Sequence, residues 1–291
     1  MMIEKAVIPA AGFGSRFLPA TKAQPKEMLP IIDTPTIQYV IEETVKSGIS
    51  QILVITGKGK QAIENHFDHS CELEADLSRK NKQKQLKEVR EISNMAEIFY
   101  IRQKELNGLG DAIRYAKNFV DNEPFVVLLG DTLVKSKTPC VRQLIDAYNR
   151  HQKTIIGVEE VPAHKVDRYG IIDAAQIGES IYRVSNLIEK PSLSEAPSQL
   201  AIGGRYILTP RIFSYLDRTV AGKGGEIQLT DALRDMCKHE ETLAFKFEGK
   251  RYDIGNKLDY LITEVEFGVE RDDLGYEFRK FLRDFVGTLK D

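Results

Sequence analysis

Short apolar runs, separated by stretches of helical periodicity, constrain this chain more than any other feature of it. Ala6-Val7-Ile8, Ile52 to Ile55, Glu97 to Arg102 and Phe125 to Leu129 are uninterrupted or nearly uninterrupted apolar segments, the pattern of strands covered on both faces. Ile37, Val40, Ile41, Thr44 and Val45 recur at i, i+3, i+4, i+7 and i+8, with Pro35 suited to a helix N1 position and Gly48 ending the repeat. Strand and helix in alternation predict an α/β chain of βαβ units on a mostly parallel, mixed sheet flanked by helices. Chemistry is then expected at the carboxyl ends of the strands, where such sheets place their ligands.

The first strand runs into AAGFGSRFLPATKAQPKEMLP, residues 10–30. Gly12 and Gly14 permit positive φ and close approach of backbone N–H groups to an anion, and Arg16, Lys22 and Lys26 add charges on long side chains. Pro19, Pro25 and Pro30 forbid one continuous helix, so the basic residues belong to a constrained loop folded back over the turn. Gly-x-Gly alone also fits a plain strand-to-helix connection. A dinucleotide fingerprint would need glycine where Phe17 stands. A P-loop would need Ser or Thr after Gly-Lys, whereas Lys58, Lys223 and Lys250 precede Gly59, Gly224 and Arg251. What remains is a polyphosphate cradle of another kind.

Other strand ends carry polar groups. Gln103 precedes Gly108 in a loop and reads either as an ordinary loop side chain or as a base contact, since a carboxamide and an open backbone suit the O4 and N3–H edge of uracil. Asp131 follows Leu128-Leu129-Gly130 and reads either as a turn residue or as a Mg²⁺ ligand facing a bound triphosphate. Glu189-Lys190-Pro191 reads as a strand-end ion pair or as a hydroxyl acceptor beside a phosphate-binding ammonium. Beyond residue 155 the strands are expected to be shorter, as an appended ligand face. Gly203-Gly204 marks a close approach, and 222–231 a flexible loop entering a helix.

The 41 basic and 43 acidic residues nearly cancel, which speaks against nucleic acid or an anionic membrane as a partner. Cys71, Cys140 and Cys237 are scattered and odd in number, and no signal peptide or long apolar stretch is evident, so a cytoplasmic protein is expected. His66, His69 and Cys71 lack a second cluster to complete a metal site. Residues 79–90 are basic and read as a solvated helical face, or as a segment at a subunit contact or over the active site. Leu258, Leu261, Ile262 and Val265 form one helical stripe, and Leu274, Phe278, Phe281, Leu282 and Phe285 another; core packing is the first reading of both, burial against a second subunit the alternative for the terminal one.

Gly12, Gly14, Ser15, Arg16, Pro19, Thr21, Lys22, Pro25 and Lys26 fill without a gap the signature of the sugar-1-phosphate nucleotidyltransferases, which this chain closely resembles. The continuation Glu27-Met28-Leu29-Pro30 resembles the bacterial members acting on UTP and glucose-1-phosphate, and the similarity runs over nearly the whole chain. The resemblance implies a Rossmann-like, GT-A-like fold in one domain, 1–291: a nucleotide half at 1–155 with a helical insertion at 70–96, a sugar half at 156–255 and terminal helices at 256–291. It implies UTP and glucose-1-phosphate as substrates, UDP-glucose and pyrophosphate as products, Mg²⁺ as cofactor, and a homodimer or homotetramer. Arg16, Lys26 and Lys190 inherit catalytic roles. Ala10, Ala11, Gly12, Gly14, Glu27, Gln103, Gly108 and Asp131 inherit nucleotide contacts, Gly170, Glu189, Lys190 and Gly204 sugar contacts, and Asp131 with Asp253 the metal.

No Cys-His or Ser-His-Asp arrangement demands a covalent intermediate, so direct displacement is expected. Three alternatives stand beside this reading: the same chemistry on dTTP or on an N-acetylated amino sugar, a non-catalytic nucleotide-sugar sensor, and a nicotinamide dehydrogenase, which the missing third glycine disfavours.

Overall fold

The structure, a computed structural model, describes residues 3–289. β1 (Lys5–Ala10) leads through the glycine turn to a small ribbon, β2 (Pro30–Ile31) with β3 (Thr34–Pro35), and then to α1 (Thr36–Lys46) and β4 (Gln51–Thr56). α2 (Gln61–Phe67), α3 (Cys71–Arg79) and α4 (Gln83–Ser93) precede β5 (Glu97–Arg102), α5 (Leu109–Arg114), α6 (Lys117–Val120) and β6 (Phe125–Leu128). Pro35 falls one residue earlier than the N1 position: its extended backbone closes the ribbon and caps α1.

β5, β4, β1 and β6 lie side by side and parallel. Their side chains alternate between two cores: Ala6, Ile8, Ile52 and Val54 join the face covered by Ile37, Val40 and Ile41 of α1, while Val7, Leu53, Ile55 and Val127 join the face covered by Ala112 and Ile113 of α5. The expectation of covered strands fails for β5. It is the sheet edge, with Phe99 40% exposed. An apolar run reports the strand but not how many neighbours it has.

The chain continues through β7 (Thr132–Lys135), α7 (Cys140–His151), β8 (Thr154–Glu160), β9 (Gly170–Gln176), β10 (Ile181–Glu189) and β11 (Leu200–Leu208). It ends with α8 (Ile212–Arg218), α9 (Leu229–Met236), β12 (Thr242–Lys246), β13 (Lys250–Asp253), α10 (Lys257–Glu270) and α11 (Gly275–Val286). One sheet spans both halves in the order β5-β4-β1-β6-β11-β8-β12-β10-β9. Past β6 antiparallel pairs take over among the described residues, β8 with β12 excepted, so the sheet is mixed as expected and parallel throughout its first half. Nor are these strands shorter: β9 has 7 residues and β10 has 9, against 6 in β1. The β9–β10 register breaks between Val184 and Asn186, and Ile171 also pairs with Ala201 at the start of β11, the end that lies beyond the end of β6.

The insertion is the α3–α4 hairpin. Arg79 and Lys80 pair with Asp76, Lys87 with Glu91 and Arg90 with Glu74, leaving Leu77 and Leu86 as the buried anchors, so its charge is internally balanced. The stripe of α10 departs from the core expectation: Leu258, Leu261, Ile262 and Val265 are all exposed, Leu261 by 61%. What α10 turns inward is Phe267, packed edge-on against Tyr39 and Tyr252. On α11, Phe281 and Phe285 stack at 5.6 Å yet are 56% and 46% exposed.

Candidate active site

Gly14 sits at φ +68°, and a Cβ added there would stand 2.9 Å from Lys26 Cβ. Only glycine therefore allows the proline-bent loop to close on the turn, and the Thr21 hydroxyl pins it by donating to the Gly14 carbonyl at 2.7 Å. Closure delivers Lys26 Nζ to Asp131 Oδ2 at 2.6 Å. Arg16 is exposed and donates to the Gly255 carbonyl at 3.3 Å; Lys22 is exposed at the rim. The space above Gly12 is open.

The partner carboxylate arrives from the other end of the chain. β7 and β13 form an antiparallel ribbon in which Asp253 pairs with Thr132, and Ile254 N–H donates to the Asp131 carbonyl at 3.1 Å. A point on Gly255, where a Cβ would stand, lies 3.1 Å from Asp253 Oδ1 and 3.2 Å from Asp131 Oδ2, so the two carboxylates bracket one small space. Asp253 is held there by the Gly255 N–H and the Tyr169 hydroxyl, at 3.0 and 3.1 Å. Burial works against the charge on Asp131, but Lys26 beside it prevails and holds its carboxyl below the usual range. Burial likewise opposes the Lys26 ammonium, and Asp131 and then Glu27 outweigh it, so its pKa is raised. Among the described residues no cluster of three or more His, Cys, Asp or Glu could hold a metal. Two converging carboxylates fit a hard divalent cation that draws its other ligands from phosphate and water.

Glu27, expected at the nucleotide, is 1% exposed and lies beneath the cradle. Lys60 Nζ donates to its Oε2 at 2.8 Å, and its Cγ packs on Gly130. Burial raises its pKa while Lys26 and Lys60 oppose the rise. In this structure Glu27 supports the cradle from below. Lys60 was not foreseen, although Gly57-Lys58-Gly59-Lys60 is itself a glycine turn after a strand; a Cβ on Gly57 would stand 2.7 Å from the Ala11 carbonyl, so the two turns pack together.

Gln103 N–H donates to the Thr56 carbonyl at 2.8 Å, which sets it at the carboxyl end of β4, beside that of β1. Gly108, at φ +104°, lets its loop meet Glu226 and Ile227, and Ile227 exchanges backbone bonds with Asn107 and Gly110 at 2.7 and 2.8 Å. Three residues beyond Ile227, the Thr230 hydroxyl donates to Glu189 Oε2 at 2.7 Å, and Glu189 Oε1 lies 3.3 Å from Lys190 Nζ. A Cβ on Gly170 would stand 3.3 Å from both Glu189 Oε2 and Thr230 Oγ1, so its backbone borders this group. Gly204 is set apart: it occupies a bulge in β11 at φ +76°, with Leu129 filling the space a side chain would take, so strand geometry accounts for that glycine. Tyr169 was also missed, and Thr230 was read only as part of the 222–231 stretch, which resembles the family's sugar side, since nothing in their local sequence names their carboxylate partners.

The model of the nucleotidyl transferase family matches residues 5–267. The chain belongs to that family. This nucleotidyl transferase is 52% identical over 284 residues to a UTP–glucose-1-phosphate uridylyltransferase of Bacillus subtilis, covering 98% of this chain and 97% of the relative. Among solved structures it is similar to a UTP-bound UGPase of Acinetobacter baumannii, at a TM-score of 0.90 and 40% identity over 99% of this chain and all of that one. A UDP-glucose pyrophosphorylase complexed with UDP-glucose matches at a TM-score of 0.86 and 42% identity, over 93% of this chain and 100% of the other. The family resemblance read from the opening loop is thereby borne out.

Proposed function

We propose that this nucleotidyl transferase moves the uridylyl group of UTP onto glucose-1-phosphate, giving UDP-glucose and pyrophosphate. One observation carries the reading: in a chain 52% identical to an enzyme named for this reaction, the Arg16–Lys26 cradle adjoins the Asp131–Asp253 pair, and Tyr169, whose hydroxyl donates to Asp253 and whose carbonyl accepts from Lys190 N–H at 3.0 Å, joins the Glu189–Lys190 pair to them. A phosphate oxygen of the sugar attacks the α-phosphorus of UTP in line, forming the new P–O bond as the bond to pyrophosphate breaks. The attacking phosphate is already anionic, so no strong general base is required. Arg16 and Lys26 hold the leaving pyrophosphate and the α-phosphate, Lys190 the sugar phosphate, and Glu189 accepts from sugar hydroxyls. Mg²⁺, held by Asp131 and Asp253, would supply neutralisation of the charge on the phosphoryl oxygens. The division of labour follows: residues 1–155 serve the nucleotide and 156–255 the sugar.

Arg16→Ala is expected to lower kcat/KM on the order of 10²- to 10³-fold with an unchanged melting temperature, because the side chain is exposed and its loss is felt where charge develops. Near-normal turnover would remove Arg16 from the scheme. The exposed apolar faces of α10 and α11 are read as the contact of a homodimer or homotetramer. Light scattering should give a multiple of the chain mass, and Leu261→Glu with Phe281→Glu should reduce it to one chain; a wild-type monomer would refute the assignment. No described helix is long and apolar enough to cross a membrane; a cytoplasmic setting is part of the proposal.

A further inference from the structure

We propose that Asp111 decides which pyrimidine this chain accepts, by fixing the orientation of the Gln103 carboxamide; the inference rests on the reading of Gln103 as the base contact. Gln103 is 4% exposed and Asp111, in the first turn of α5, is 9% exposed. Gln103 Nε2 donates to Asp111 Oδ2 at 2.8 Å and, more weakly, to the Gly108 carbonyl at 3.4 Å. Asp111 Oδ1 in turn lies 3.7 Å from Arg114 Nη1. The amide nitrogen thus has two acceptors on its own side of the site. Turning the amide over would set its carbonyl against the Asp111 carboxylate, lone pair against lone pair, in a buried place where such an opposition is costly.

The carbonyl oxygen has the opposite situation. No described group donates to Gln103 Oε1, and among the described buried side-chain polar atoms only Arg114 Nε lacks a partner, so Oε1 is not sealed in and is left for a ligand. A carboxamide free to turn offers either a donor or an acceptor. Held by Asp111, this one turns only its acceptor to the base, so of the uracil edge it meets N3–H and leaves O4 to other donors. At the N3 position uracil presents a donor, N3–H, and satisfies it; cytosine presents an acceptor there and opposes it, its own donor, N4–H2, lying one ring position away. Selectivity then comes from a repulsion built into the protein as much as from an attraction. Thymine carries the same N3–H, so the device separates UTP from CTP and not from dTTP.

The test compares wild type, Asp111→Asn, Asp111→Ser, Gln103→Ala and the double variant Gln103→Ala/Asp111→Asn, by calorimetric Kd and by kcat/KM for UTP and for CTP. Asn and Ser at 111 can donate or accept, so Gln103 becomes free to turn, and the UTP:CTP ratio is expected to fall about 10- to 100-fold, the equivalent of one opposed buried polar pair. A merely structural role would lower both nucleotides by the same factor and leave the ratio intact. In the Gln103→Ala background Asp111→Asn should change the ratio no further. If Gln103→Ala shifts the ratio and both folded Asp111 variants keep that of wild type, the inference about Asp111 is overturned while the base contact stands. If Gln103→Ala itself leaves the ratio unchanged, the base contact fails and takes Asp111 with it.

Discussion

Asp131→Asn should lower turnover with UTP and glucose-1-phosphate on the order of 10³-fold while the chain still folds. The substitution keeps the shape of the side chain and removes its charge. That charge has two partners in the proposed cycle: Lys26 Nζ at 2.6 Å, and the metal that Asp131 and Asp253 bracket. The amide is a poorer ligand for a hard cation, so divalent-metal titration should show a much weaker dependence, and Mn²⁺ binding read by electron paramagnetic resonance should weaken in parallel. Unaltered metal dependence in this variant would contradict the assignment. Stability carries its own signature. The Asp131 pKa is lowered, so the pair's contribution is present above the ordinary carboxylate range and lost as pH falls through the folded value. The Lys26 pKa is raised, so on the alkaline side the contribution persists through the ordinary lysine range and is lost only above it. In Asp131→Asn the acid limb of the stability curve should flatten.

Glu43→Ala should destabilise the fold by about 3–5 kcal/mol, the usual cost of leaving a buried charge without its partner. Arg205 is fully buried, and its Nη2 donates to Glu43 Oε2 at 2.8 Å and to the Thr132 carbonyl at 2.7 Å. Glu43 Oε1 accepts from Val141 N–H at 3.0 Å. One ion pair therefore ties α1, β7, α7 and β11 together directly behind Asp131. Urea denaturation should show the loss in Glu43→Ala and in Arg205→Met. Replacing both by apolar residues, Glu43→Leu with Arg205→Met, should recover part of it, because no lone charge then remains. A loss under about 1 kcal/mol for the single variant would mean that water reaches the site and relieves it.

The cradle was legible because its residues are consecutive: glycines, prolines and three cations within residues 12–30 specify their own geometry. Asp131 was legible as a carboxylate closing an apolar run. What stayed hidden was long-range pairing. Lys60 meets Glu27 across 33 positions, Thr230 meets Glu189 across 41 and Tyr169 meets Asp253 across 84, and no local pattern encodes such a meeting. Periodicity had the same limit in the fold. It found the apolar faces of β5 and α10, yet neither is covered as expected, since a stripe says what a face is made of and not what lies upon it. Gly204 illustrates the converse: a glycine between strand residues signals close approach, and here the group that approaches is the half-buried Leu129 side chain of the protein itself.

Pyrophosphate release tests the central claim most directly. With the purified chain set against UTP, dTTP, CTP and ATP, each with several sugar-1-phosphates and with or without Mg²⁺, the proposed function predicts release that requires Mg²⁺ and is fastest with UTP and glucose-1-phosphate, with UDP-glucose formed in equal amount. Release that favours another nucleotide or sugar, or that proceeds equally well without a divalent cation, would contradict it.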